Sequence, residues 1–157
     1  MSDKGIIWDL VEPKVSYGWL LALAFEHGWK ADFNMVKAVA VCAAESSRYS
    51  RAWHINDPGG PKESLDQGLF QINDRAHPYD GNIWNPWENV AEARRIFVGR
   101  GYKFNAWAAY NSGAYLKYVP LVWMHYARGR WQNKLPLVTN WDRPLTEAPP
   151  IPTPEEA

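Results

Sequence analysis

One cysteine among 157 residues, Cys42, leaves no partner for an internal disulfide. The fold must therefore be held by packing, which suits synthesis in a reducing compartment. Cys42 itself lies in the most apolar stretch of the chain and reads as a small buried hydrophobe. Net charge is missing as well, because 17 Lys and Arg balance 17 Asp and Glu. Without a global positive field, neither nucleic acid nor a membrane surface is an expected partner. Long apolar runs are absent. The run WLLALAF at residues 19–25 falls short of the roughly 20 residues a bilayer span needs. Acidic Asp3, Asp9 and Glu12 precede it and no small-residue cleavage site follows, so no signal peptide is expected. Four scattered histidines without a second cysteine offer no metal-ligand spacing, and no cofactor is implied.

What remains is an ordinary globular composition, 46% hydrophobic and 22% charged, with ten Trp and eight Tyr. Length fits one domain with a sizeable core, and a monomer is expected. Residues 1–15 read as an arm that docks through Trp8. Residues 16–132 read as the domain. Half of the twelve prolines lie after Asn133, and residues 133–157 read as a Pro-rich, acidic tail unable to pack a core. Removing the chain after Leu145 is expected to leave catalysis and melting temperature unchanged. A large drop in melting temperature on truncation would show instead that the tail wraps the core.

The chain is organised around residues 38–73. The apolar run AVAVCAA ends in ESSRYSRA, and a loop rich in Gly and Pro follows before SLDQGLFQIN. Helical spacing puts Glu45 beside Val41 and Cys42. A carboxyl in apolar surroundings, at the negative end of a helix dipole, keeps its proton to higher pH and suits a general acid. Asp66 sits among Leu65, Gln67, Gly68, Leu69 and Gln71, as in a partly polar strand or turn, and more readily stays ionised. Two carboxyl groups with opposed environments are what glycoside hydrolysis requires: one protonates the leaving oxygen, the other answers positive charge on the sugar.

Other elements follow from caps and periodicity. Ser16 can cap a first helix through Trp19, Leu20, Leu23 and Phe25, ending at Gly28. Asp32 or Asn34 can cap a second, apolar all round and hence central. Asn85, Pro86 and Glu88 read as N-cap, first helical residue and capping-box partner of a helix through Phe97, which Gly99 and Gly101 stop. The segment NAWAAY puts Trp107 and Tyr110 on one face, and residues 114–129 read as a last helix, bent at Pro120. Trp53 and His54 open the loop after Tyr49, as an anchor and a surface histidine or as sugar contacts.

The stretches ESSRYSRA, SLDQGLFQIN and FNAWAAYNSG together resemble the lysozyme superfamily over about Val36 to Tyr118. The DxGxFQIN-like segment is similar to animal-type lysozymes. The order Glu-Ser, GLxQ, AxxAYNxG is similar to lytic transglycosylases. The resemblance implies a mainly α (α+β) lysozyme-like fold, with a central buried helix and a small sheet-and-loop lobe flanking a cleft. It implies a glycosidase that cuts the β-1,4 bond between N-acetylmuramic acid and N-acetylglucosamine in peptidoglycan glycan strands. Glu45 would be the general acid and Asp66 the second carboxylate. Ser64, Gln71, Asn73, Trp107 and Tyr110 would bind sugar or shape the site, with Trp107 packing on the acid and Tyr110 lining the site beside it. One alternative is a lytic transglycosylase, which needs no second carboxylate because the substrate's N-acetyl group can assist. Another, of a different class, is an inactive structural or wall-binding component of a phage tail that keeps the fold. A wall-degrading enzyme without an export signal resembles a bacteriophage product, made in the host cytoplasm and released by a holin or carried in a virion.

Overall fold

The first helix starts where a serine can cap it. In the computed structural model, which describes residues 14–138, the Ser16 hydroxyl accepts from the Trp19 N–H at 3.1 Å. This opens α1 (Tyr17–Glu26), and Gly28, at φ +110°, turns the chain out of it. Asp32 accepts from the Asn34 N–H at 2.8 Å and so caps α2 (Phe33–Ser46). From Met35 to Ala43 every side chain of α2 except Lys37 is buried. It can be apolar all round because neighbours cover it on every side. The other helical elements against it are α1, α4 (Ala108–Asn111), the 3₁₀ helix η1 (Ala114–Tyr118) and α5 (Val119–Arg128). The central position expected of this helix is the one it occupies.

α2 ends without glycine. Ser47 and Arg48 both take left-handed backbone, at φ 54° and 70°, a conformation uncommon for side chains with a Cβ. Four contacts hold it. The Ser46 hydroxyl donates to the Cys42 carbonyl and accepts from the Arg48 N–H, the Arg48 guanidinium donates to the Val15 carbonyl at 2.9 Å, and it lies 4.1 Å above the Tyr17 ring. The turn just after Glu45 is thereby tied back to α1.

A three-stranded antiparallel sheet follows in the order β1 (Trp53–Asn56), β2 (Ser64–Gln67), β3 (Ile72–Asn73). Asp66 pairs with His54 on one side and Asn73 on the other. Directly opposed residues share a face of the sheet, as do residues two apart, so Ser64, Asp66 and Asn73 share one. Trp53 is exposed on β1 and does not serve as a loop anchor.

Asn85 caps α3 (Pro86–Gly99) by accepting from the Trp87 and Glu88 N–H groups. Glu88 does not close the expected capping box. Its carboxylate instead accepts from the Asn82 N–H and the Tyr79 hydroxyl, both at 3.0 Å, and so ties down the loop ahead of the helix. Rings from α3, the sheet lobe and the segment before α4 then fuse into one core. Trp29 stands 5.5 Å from Phe97 and 6.0 Å from Phe70, Phe97 lies 4.5 Å from Phe104, and Phe70 lies 5.6 Å from Trp107. Such pairs add about 0.5–1.5 kcal/mol each beyond their area, and they bind the helical body to the sheet lobe.

The expected last helix divides. Residues 114–118 form η1, and Pro120 falls in the first turn of α5, where a missing N–H costs nothing, so it starts a helix where a bend was expected. Of its apolar residues only Val122 is buried, while Leu121, Trp123 and Met124 are exposed. The packed chain also runs past the boundary drawn at 132. A second 3₁₀ helix, η2 (Arg130–Lys134), and α6 (Leu135–Val138) pack on α1, with Trp131 and Val138 buried. Lys14 bridges to Tyr49, and Val15 is buried, so these two residues belong to the domain. The rest of the arm, with Trp8, and the tail beyond Val138 lie outside the described residues. Among the described residues no helix is long and apolar enough to cross a membrane.

Candidate active site

Glu45 arrives at the surface on the last turn of a buried helix, and Asp66 on the middle strand of the sheet. Both line a cleft of about 210 Å³ together with Gln71, Asn73, His77, Arg100 and Trp107.

Burial raises the proton affinity of Glu45, and the negative charge of Asp66 raises it further. Against both stands one hydrogen bond, from the Ala109 N–H. That bond, 2.9 Å to Oε2, joins residues far apart in sequence. It exists because α4 begins just there, and α4 is fixed by Trp107. The Trp107 indole N–H donates to the Phe70 carbonyl at 2.8 Å, and its ring is wedged against Phe70 and Phe104. Trp107 is only 4% exposed, so its part in the cleft is to form the wall and place the Ala109 N–H.

Asp66 has a different setting. Its Oδ1 accepts from the Asn73 amide at 2.8 Å, and the same amide donates to Ser64 Oγ at 2.9 Å. The Asn73 carbonyl oxygen accepts from the Arg75 and Ala76 N–H groups. Asn73 is therefore fully engaged in holding Asp66 and the turn behind it. Ser64 supports Asn73 and is not among the cleft-lining residues. Gln71, at φ 47°, lines the cleft but donates its amide to the carbonyls of Ala52 and Gly68, both at 2.9 Å. Tyr110 stands away from the lining, 4.9 Å from Tyr115 and 5.5 Å from Phe104. Of the seven residues singled out in the sequence, the structure thus gathers Glu45, Asp66, Gln71, Asn73 and Trp107 into one cleft. Ser64 stands behind it and Tyr110 to one side.

A family model described as lysozyme-like domain matches residues 21–111, more than half of the chain and the whole span from Glu45 to Trp107. The chain belongs to the lysozyme-like domain family. No curated protein is similar enough to the chain to count as a match. Membership points to an enzyme that acts on peptidoglycan.

Three features of this lysozyme-like domain escaped the sequence reading. Asn89, 0% exposed on α3, accepts from the Phe70 N–H and donates to the carbonyls of Gln67 and Ile83, all within 3.0 Å. It clamps the loop between Asp66 and Asn73 to the helical body. Gly68 must pass beside it at φ +75°, where a Cβ would stand 2.5 Å from the Asn89 amide, so only glycine fits. The other two, His77 and Arg100, complete the lining. Burial and then the Arg100 charge lower the His77 pKa, with Glu92 opposing, so His77 is neutral at pH 7. A buried Asn is a common helix-to-loop clamp, but only its partners distinguish it from a solvated one. Asn89→Ala takes a hydrogen-bond partner from the buried Phe70 N–H and from the Gln67 and Ile83 carbonyls. At about 1–3 kcal/mol for each desolvated group left unsatisfied, a loss of about 3 kcal/mol or more in unfolding free energy is expected in urea denaturation.

The mutual influence of the two carboxyl groups can be measured directly. Asp66→Asn removes the neighbouring charge, so the Glu45 pKa should fall in a ¹³C NMR titration, with the Asn73 contact kept by the new amide oxygen. In the wild type, activity should decline on the alkaline side as the Glu45 proton is lost. An unchanged Glu45 titration in the variant would mean that the two charges do not meet across the cleft.

Proposed function

We propose that this protein is a muramidase, hydrolysing the β-1,4 bond between N-acetylmuramic acid and N-acetylglucosamine in peptidoglycan. The observation that carries the reading is the pairing of Glu45 with Asp66 in one cleft, each in the setting its role needs. Burial raises the Glu45 pKa above the ordinary glutamate value, so the carboxyl keeps its proton to higher pH and can give it to the leaving sugar oxygen. Asp66, half-exposed and accepting an amide hydrogen bond, supplies the carboxylate that faces the oxocarbenium-like charge developing on the ring. It acts as nucleophile, as electrostatic stabiliser, or as base for the attacking water. The Ala109 N–H holds one Glu45 oxygen and leaves the other for the proton in flight. Gln71 and Asn73 set the backbone around Asp66, and Trp107 closes the floor.

Lytic transglycosylation is the second reading. One observation favours it: an Asp66 oxygen is engaged by Asn73, the residue it faces across β2 and β3, as a clamp of strand register would be. In that case the substrate's N-acetyl group replaces the second carboxylate and the product carries a 1,6-anhydro end. Mass spectrometry of digested muropeptides separates the two, since hydrolysis leaves reducing ends. A digest consisting of anhydro ends would overturn the hydrolytic reading, and a folded protein releasing neither product would overturn both.

A further inference from the structure

The cleft has two chemically different walls. Glu45 and Asp66 make one, from α2 and β2. The other is built by His77, in the turn after β3, and Arg100, at the C-terminal cap of α3. Arg100 is held by its backbone, whose N–H donates to the Ile96 and Phe97 carbonyls at 3.0 and 3.2 Å. Its side chain is exposed, and among the described residues the salt bridge on α3 belongs to Glu92 and Arg95, not to Arg100. Arg100 is the one cationic side chain in the lining. Its guanidinium is thus placed along the cleft without an internal carboxylate to satisfy it.

A neutral sugar chain would not need such a group. Acetamido and hydroxyl groups are met by amides and main-chain atoms, and a free guanidinium offers them little beyond what water does. A substrate carboxylate is different. In a cleft that already presents two acids, it is repelled unless a cation stands on its side of the groove, and guanidinium matches the geometry of carboxylate with paired donors. We propose that Arg100, with His77 beside it, forms a subsite for a carboxylate carried by the muramyl residue, so that the cleft distinguishes muramyl glycans from uncharged ones. The carboxylate has two possible sources with the same chemistry: the lactyl group of a peptide-free muramyl unit, or the acidic residues of a stem peptide. This inference rests on the reading that the cleft takes peptidoglycan glycan.

Binding to a catalytically silent background tests it apart from turnover. In Glu45→Gln, calorimetry would compare three soluble probes: peptide-free glycan tetrasaccharides with free lactyl carboxylates, the same strands bearing stem peptides, and strands with every carboxyl amidated by carbodiimide. Hydrogen bonds to charged groups are among the stronger ones. A carboxylate-bearing strand is therefore expected to bind about tenfold more tightly than the amidated one. Adding Arg100→Ala should abolish that difference without weakening the amidated strand, and Arg100→Lys should restore part of it. Full gain with the peptide-free strand assigns the lactyl carboxylate, and gain only with the peptide-bearing strand assigns the stem peptide. Equal affinity for charged and amidated strands, or equal weakening of all three probes by Arg100→Ala, would overturn the subsite. A wild type that turns over none of the strands while the binding difference stands would remove the enzymatic reading and leave the subsite intact.

Discussion

Glu45→Gln is expected to abolish release of muropeptides from bacterial walls while leaving the fold unchanged. The substitution keeps the shape of the side chain and an oxygen able to accept from the Ala109 N–H at the same place. It removes the proton that the leaving sugar oxygen must receive. General acid catalysis is worth about 10² to 10⁴ in rate, so wall turbidity should clear at no more than about a hundredth of the wild-type rate. A variant that retains a tenth of the activity with an intact fold would exclude Glu45 as the acid. The same variant has a second signature. Glu45 in the folded protein holds its proton above the usual glutamate range, chiefly because it is buried and then because Asp66 is near. The native state therefore binds that proton more strongly than the unfolded chain does. The stability it contributes is complete below the unfolded pKa and is lost as pH rises through the folded one. Gln has no such dependence. Melting temperatures of variant and wild type should match in acid and separate towards neutral pH, with the variant the more stable. The pairing of lost activity with gained stability at pH 7 is what a carboxyl kept buried for function would show.

Much of this arrangement could be read from local rules. Ser16, Asp32 and Asn85 cap helices because each carries a side-chain acceptor placed to reach an N–H two or three residues on, and that relation lies within a few residues of sequence. The apolar girdle of α2 announces a central helix for the same reason, and Glu45 follows from its place at the end. What could not be read is whatever depends on residues distant in the chain. The Ala109 N–H on Glu45, the Trp107 indole on the Phe70 carbonyl and the Asn89 clamp on the Gly68 loop all span 19 to 64 positions. Arg100 reads as a solvated helix end until the fold brings it to the cleft. Tyr110 lies on the face of NAWAAY expected to line the site, yet stacking on Tyr115 takes it elsewhere. Spacing says which residues are neighbours on a helix, but not which way that helix faces. The boundary at 132 was misleading for a simpler reason. The prolines after Asn133 suggested a tail, whereas the first of them, Pro136, lies inside α6, a short helix packed on α1.

Asp66→Asn is expected to keep the fold and lower the rate by at least about 10²-fold, the scale on which loss of one preorganised electrostatic group is felt. The fold should survive because Asp66 makes its contact with Asn73 as an acceptor, a role the amide oxygen of asparagine also fills. The rate should fall because the remaining function of the carboxylate is its charge. As the glycosidic bond breaks, positive charge grows on the sugar ring, and a fixed anion beside it lowers the barrier where a neutral amide does so far less. A clamp and a catalyst make opposite demands on this substitution, which is why it discriminates between them. If Asp66 only sets the register of β2 against β3, asparagine serves as well as aspartate, and rates stay near those of the wild type. Asn73→Ala supplies the complementary measurement. It removes the amide that holds Asp66 and also the acceptor for the Arg75 and Ala76 N–H groups, so it should lower both stability and rate. Asp66→Asn should lower the rate alone. Near-normal rates in Asp66→Asn, with anhydro ends in the wild-type digest, would assign the chemistry to the substrate's own N-acetyl group and make the protein a transglycosylase.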